Sequence, residues 1–433
     1  MRISDVAGAG VRRDNHIKPV INLSMKRQLL NLLITSCLAS TAFAQYNSAK
    51  EQWRGELHRT DGIDIVFTFN IQTAEGKKLM YITNGSERIK VEDIRFRDDS
   101  VFIEMPTFES SFKARVSKDS WTGMWNKGTA GAMQHIPFSA THNLPRFESK
   151  LNPRYNISGR WAVNFSNDHQ QKASSLAEFV QRGDKLTGTF LTATGDYRYQ
   201  EGIVTGDKFM LSGFDGAHAF LFTGKLTDAR TITDAMYYSG ASYKEGWTAI
   251  KDPNAKVSTD PAAMFLKPGE EKLDFKFPDL NGNTVSINDE RFKGKVVIVQ
   301  LMGSWCPNCM DETAFLSNYY NHNRSRGVEV VSLAYEYSTD FSRSVNSLNK
   351  FRERFKVTYP MLITGVTVKD SLRTQKTLPQ VTDIKVFPSS IILDKKGKVR
   401  FLETDFFGQG TGEHFVSYTK KFTTLINELL AEK

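Results

Sequence analysis

From Trp53 to Ile250 the chain breaks into short runs of alternating apolar and polar residues, recurring about every ten residues. "IDIVFTFNIQ", "DSVFIEM", "FKARV", "DKLTGTFLTA", "DKFMLSGF" and "AFLFTGKL" are examples, separated by Gly, Asn and Asp. A period of two puts every second side chain on one face, so each run buries a single face as a strand. Helical periodicity is scarce here. The 30 Phe of the chain suit such half-buried pleated surfaces. Residues 91–105, "VEDIRFRDDSVFIEM", resemble residues 200–214, "QEGIVTGDKFMLSGF", and a Trp segment follows each copy, at Trp121 and at Trp247. Two related units are expected, 46–152 and 153–250, each a small barrel or sandwich that protects its own edges.

After Ile250 the pattern changes. Residues 251–267, "KDPNAKVSTDPAAMFLK", with two prolines and a third directly after at Pro268, read as a linker. "FKFPDLNGNTVSIND" then gives a hairpin with an Asn281-Gly282 turn. "KVVIVQLM" (295–302) and "VEVVSLAYE" are continuous apolar runs, as in strands buried on both faces. Helical stretches alternate with them, and "SSIILDKKGKVRFLETD" adds a second hairpin before the amphipathic "EHFVSYTKKFTTLINELL". Residues 268–433 therefore predict a mixed α/β sheet. The expected chain is multidomain, with an all-β region before an α/β domain.

The first apolar run leads straight into "WCPNC", which holds Cys306 and Cys309; the chain has one other cysteine, Cys37. A zinc half-site would need a second ligand pair, and no second cysteine pair or His pair at ligand spacing occurs. A purely structural disulfide across two residues would constrain little of the unfolded chain.

A buried strand entering "WCPNC", "VFPSSIIL" some eighty residues on and the preceding "FKFPDLNG" together resemble the thioredoxin-fold oxidoreductases of the TlpA and ResA group. The resemblance covers residues 268–433 and is silent on 46–255. It implies dithiol-disulfide exchange. Cys306 at a helix N-terminus would be a stabilised, exposed thiolate and the nucleophile. Cys309, one turn later, would resolve the mixed disulfide, and Pro307 suits the first helical turn. Pro388 would be the cis-proline facing the cysteines, with Phe387 before it and Trp305 at the side of the site contacting substrate. Where thioredoxins carry a buried Asp the chain has Gln300, which cannot titrate. Glu312, three residues after Cys309, takes the place of the acid that recurs in this group and would accept the Cys309 proton. Asp311 beside it is expected on the surface. "GQGTG" (408–412) reads as the start of the last helix rather than a phosphate loop, and His218 as a packed rather than a catalytic histidine. No metal and no organic cofactor are implied.

The resemblance and the leader together suggest a periplasmic protein-disulfide reductase. Residues 25–44, "MKRQLLNLLITSCLASTAFA", have the basic start, short apolar run and small-residue end of a secretory signal, with 1–24 reading as an over-called start. "ITSC" also resembles a lipobox, so a lipid on Cys37 is the one route to a membrane. Partners would be protein disulfides and an upstream thiol donor. The formal charge is +9, of which +4 lies in the first 44 residues, and without a basic stripe nucleic acid is not an expected partner. A scaffold whose β units bind a partner, and an oxidase or isomerase, remain alternatives.

Overall fold

The computed structural model describes residues 52–166, 175–257, 263–404 and 406–433. The leader, Met25 and Cys37 lie outside the described residues. An all-β region of two barrel-like sheets precedes a thioredoxin-like domain.

The first sheet is an antiparallel meander of nine strands. Its first strand, Gln52–His58, pairs with Asp64–Ala74 on one side and with the last, Gln134–His142, on the other. That pairing curls the sheet round, and the seam falls between Glu87–Val91 and Asp93–Arg97, which no ladder joins. Alternation does what the sequence implies. Trp53, Leu57, Phe67, Phe69, Phe112, Trp121, Trp125 and Phe138 point inward and form the core.

The second sheet closes completely. Gly159–Phe165 pairs with Ser175–Arg182 and with Tyr243–Lys251 at the far end of the meander. Ser175–Arg182 pairs with Lys185–Thr192, so no edge is left in the ring. The two-residue strand Gly195–Asp196 hangs on the end of Lys185–Thr192. Trp161, Phe179, Phe190, Phe209, Phe222 and Trp247 fill this barrel.

The barrels share side chains. Phe214, on the second barrel's strand Lys208–Phe214, stacks on Phe67 of the first with ring centroids 4.3 Å apart. Arg146, on the connecting segment, is 5 % exposed and donates to Ser212 O at 2.9 Å, to Thr68 Oγ1 at 3.1 Å and to Thr83 O. Burying a guanidinium is costly unless hydrogen bonds offset the lost water, and these acceptors come from both barrels.

The C-terminal sheet has the order Met361–Ile363, Val328–Ala334, Val296–Met302, Ser389–Leu393, Val399–Glu403. Its centre, Val296–Met302, is buried at every residue, as a strand covered on both faces must be. Helices Pro307–Asn323, Phe341–Phe355 and Glu413–Ala431 accompany the sheet. The last follows a short turn at Gln409–Thr411, so "GQGTG" does lead into the final helix. No helix of the described residues is long and apolar enough to cross a membrane.

Candidate active site

The central strand ends at Met302 and delivers Gly303, Ser304 and Trp305 to the edge of the sheet. Gly303 is required by crowding: a Cβ there would meet the Trp305 indole nitrogen at 2.2 Å. Trp305 Nε1 donates to Tyr335 O at 2.8 Å, and its ring stacks on Tyr337 and meets Phe387 edge-on.

Cys306 is the N-cap of helix Pro307–Asn323, with Pro307 in the first turn. Its Sγ accepts from Cys309 N at 3.1 Å, the place where an anion is stabilised by a free helix N–H. Cys306 and Cys309 are joined as a disulfide, with Cα atoms 5.2 Å apart, inside the ordinary range. Phe387–Pro388 is a cis peptide. Cys306 Sγ lies 3.4 Å from Phe387 O, so the strand before Ser389–Leu393 faces the disulfide. The Phe387 ring turns inward, 8 % exposed, against Trp305 and Tyr335.

Glu312 is buried, 1 % exposed, one turn along the helix from Cys309. It accepts from Gln300 Nε2 and from Ser390 Oγ, each at 2.9 Å. Gln300 in turn donates to Thr313 and accepts from Ser332 Oγ at 2.7 Å. Burial pushes the Glu312 carboxyl up to about 7, against the pull of its hydrogen bonds. The acid can therefore hold or release a proton near neutrality, while Gln300 positions it without titrating.

Two expectations are corrected. Cys306 is not exposed: it is 3 % exposed and Cys309 is fully buried. Phe387 O lies against Cys306 Sγ, and the β region packs against the helix that carries both cysteines. Thr107 of the first barrel donates to Met310 Sδ at 3.6 Å. Asn308, between the two cysteines, donates to Asp196 O at 3.1 Å and accepts from Asp196 N at 3.3 Å. Asp311 is not on the surface either. It is 13 % exposed and meets Arg198 Nη2 at 3.0 Å. Burial, opposed by Arg198 and reinforced by Asp196 and Glu87, pushes Asp311 up to about 7.

Sequence reasoning also missed Glu336, 6 % exposed, which accepts from Ser304 N at 2.8 Å and from Ser304 Oγ at 2.5 Å. Burial pushes it up to about 7 as well. Its one sequence signal is an acid at the C-terminal end of the buried run "VEVVSLAYE". With Phe108, Glu109, Lys127, Trp305 and Tyr337 it borders a small cavity where the first barrel meets the redox domain. His218 packs edge-on against Phe108 and pairs with Asp215 at 2.9 Å, away from the sulfurs' own contacts. Among the described residues no cluster of His, Cys, Asp and Glu could hold a metal ion.

The Redoxin family model matches residues 267–415. This segment is a redoxin domain. Two curated relatives are named thiol-disulfide oxidoreductase ResA. The protein from Bacillus subtilis (strain 168) is 25 % identical over 134 residues, 31 % of this chain and 65 % of the relative. The one from Bacillus thuringiensis subsp. konkukian (strain 97-27) is 27 % identical over 155 residues, 36 % of this chain and 78 % of the relative. The chain thus spans just under two thirds of the length of the first. Among solved structures, the thioredoxin domain of a thiol-disulfide oxidoreductase from Bacteroides vulgatus is 26 % identical with TM-score 0.27, covering 36 % of this chain and 98 % of that one. A thioredoxin-family thiol:disulfide interchange protein from Chlorobium tepidum TLS is 19 % identical with TM-score 0.25, covering 34 % and 94 %. The redoxin domain is related to the thiol-disulfide oxidoreductases.

Proposed function

We propose that this chain is an exported thiol-disulfide oxidoreductase that reduces disulfides of extracytoplasmic proteins. The observation that carries the reading is the Cys306–Cys309 disulfide at a helix N-terminus, with the buried, protonatable Glu312 one turn on. In the reduced enzyme the Cys306 thiolate attacks one sulfur of the substrate disulfide. A mixed disulfide forms, and the other substrate sulfur leaves as a thiolate. Cys309 then loses its proton towards Glu312 and attacks Cys306 Sγ. The enzyme disulfide re-forms and the second substrate thiolate departs. Two electrons pass to the substrate, and an external thiol donor returns them to the enzyme.

Pro388 and the Phe387 carbonyl line the face where an extended substrate segment would add alongside, with Trp305 at its edge. The leader at 25–44 supports export, where a disulfide can persist. Lipidation at Cys37 would place the enzyme on a membrane; cleavage after Ala44 would release it.

The test is thiol-dependent reduction of a protein disulfide by the full mature chain. Cys306→Ser is expected to abolish turnover, and Cys309→Ser to trap the mixed disulfide. Turnover that survives Cys306→Ser would contradict the reading.

A further inference from the structure

We propose that the second barrel latches the redox centre shut, and that the turn Gly195–Arg198 must lift before a protein dithiol or disulfide can reach Cys306. This rests on the redox reading above and adds its access control.

An incoming thiolate must reach a sulfur along the S–S axis, and the attacked residue, Cys306, is 3 % exposed, so exchange with a protein waits on movement of what surrounds it. The covering elements differ in how firmly they are held. The first barrel is seated on the redox domain by Phe108, buried in that domain's own core beside Phe351. Glu109 pairs with Arg343 at 2.6 Å and Lys350 pairs with Glu104 at 2.7 Å around it. The Gly195–Arg198 turn puts no side chain into the redox domain's core; its Tyr197 ring packs in the second barrel's own core instead. Its contacts with the cysteine helix are polar: the Asp196 backbone with the Asn308 amide, and Arg198 with Asp311. Asp196 Oδ2 also accepts from Gly408 N at 2.8 Å, which ties the turn to the loop before the last helix.

The closed contact is tight but incompletely bonded. Gly195 sits at φ +129°, and a Cβ there would fall 2.2 Å from Asn308 Oδ1, so only glycine allows the approach. The Arg198 guanidinium lies amid the carboxyl groups of Glu87, Asp196, Asp215 and Asp311. Among the described residues its Nε and Nη1, and Asp311 Oδ2, have no hydrogen-bond partner. Buried donors left unmade cost stability that water would restore on opening. Removing the guanidinium would delete the Arg198–Asp311 ion pair that holds the turn to the cysteine helix, and adding a methyl at Gly195 would wedge the turn away. Both changes favour the open state by unrelated physical routes.

The experiment follows reduction of the Cys306–Cys309 disulfide in the oxidised full chain. One reductant is a small dithiol, dithiothreitol, and the other a protein dithiol, reduced thioredoxin. In each case a probe thiolate attacks Cys306 Sγ and Cys309 leaves as a thiolate that takes up a proton. The second probe thiol then attacks the mixed disulfide, so the probe is oxidised and the protein reduced. Arg198→Ala and Gly195→Ala should each be reduced by thioredoxin at least about tenfold faster than the parent, because the competent fraction rises, with a smaller gain for dithiothreitol. Arg343→Ala, which weakens the first barrel's seat, should not share the gain. The latch is overturned if both variants stay within about twofold of the parent with thioredoxin, or if Arg343→Ala accelerates as much. No reduction of any of the four proteins by either probe would remove the redox reading itself, and the latch with it.

Discussion

The two barrels meet the redox domain in different ways. The first inserts an aromatic residue, Phe108, into the partner core and surrounds it with ion pairs to helix Phe341–Phe355. The second reaches the cysteine helix through a four-residue turn, by hydrogen bonds and a partly satisfied guanidinium, while its Ala217 and Leu191 pack on the redox domain elsewhere. Apolar burial is non-directional and large, whereas net hydrogen-bond gains are small and depend on each partner being met. The contrast separates an anchor from a contact that can open at modest cost, and the opening contact is the one beside the sulfurs.

The anchor can be broken most strongly at Phe108. Phe108→Ala is expected to cost about 3–5 kcal/mol, the usual range for a fully buried aromatic, seen as a lower urea midpoint with a largely unchanged slope. A loss under about 1 kcal/mol would mean the first barrel is not seated through this ring.

The next effect concerns the buried acid under the opening contact. Glu312 titrates at about 7 in the folded chain, above the ordinary value of 4.5. Its folded pKa is raised, so the stability it contributes is full below about pH 4.5 and is lost as the pH climbs through about 7. Glu336 and Asp311 shift the same way and add to the slope. Glu312→Gln should flatten this slope, by on the order of 2–3 kcal/mol across the window. It should also remove the step near pH 7 from the rate of the second exchange. Urea melts from pH 4.5 to 8 and single-turnover exchange read the two effects separately. A Gln variant with the parent's slope and pH profile would show that Glu312 takes no part in proton movement.

The smallest effect sharpens the comparison from the anchor's rim. Arg343→Ala and Lys350→Ala remove partly exposed ion pairs, and each should cost roughly 1 kcal/mol or less, shrinking further in salt. Losses several times larger at either position would move the anchor from the Phe108 ring to its charged rim.

What could be read from the residues divides along the same physical line. Local periodicity and short motifs carry their own geometry. "IDIVFTFNIQ" folds as the strand Asp64–Ala74, "KVVIVQLM" supplies the buried strand, and "WCPNC" places a cap, a Pro and a second sulfur within one helical turn. The segment "VFPSS" carries its proline into a cis peptide against Cys306. Closed units were expected, but which strands close the second barrel was not legible, because the Gly159–Phe165 pairing with Tyr243–Lys251 joins residues 82 to 90 apart. Asp311 reads as a solvated helix residue until Arg198, 113 positions earlier, is laid against it. Cys306 reads as exposed because what lies against its Sγ, the Phe387 carbonyl, is 81 positions further on. Glu312 was legible as a half-buried acid beneath the thiols, but not the partners that hold it, since Gln300 and Ser390 lie on two separate strands.

The central claim is that Cys306 and Cys309 form a working redox pair that donates electrons to substrates. The most direct test is the reduction potential of that pair in the full chain, equilibrated in defined thiol buffers with both redox forms quantified by thiol trapping. A reductase predicts a value near that of thioredoxin, about −270 mV, reached reversibly from either side. A value of about −120 to −180 mV would contradict the reductase and point to an oxidant or isomerase, and a disulfide that no buffer reduces would contradict redox function altogether.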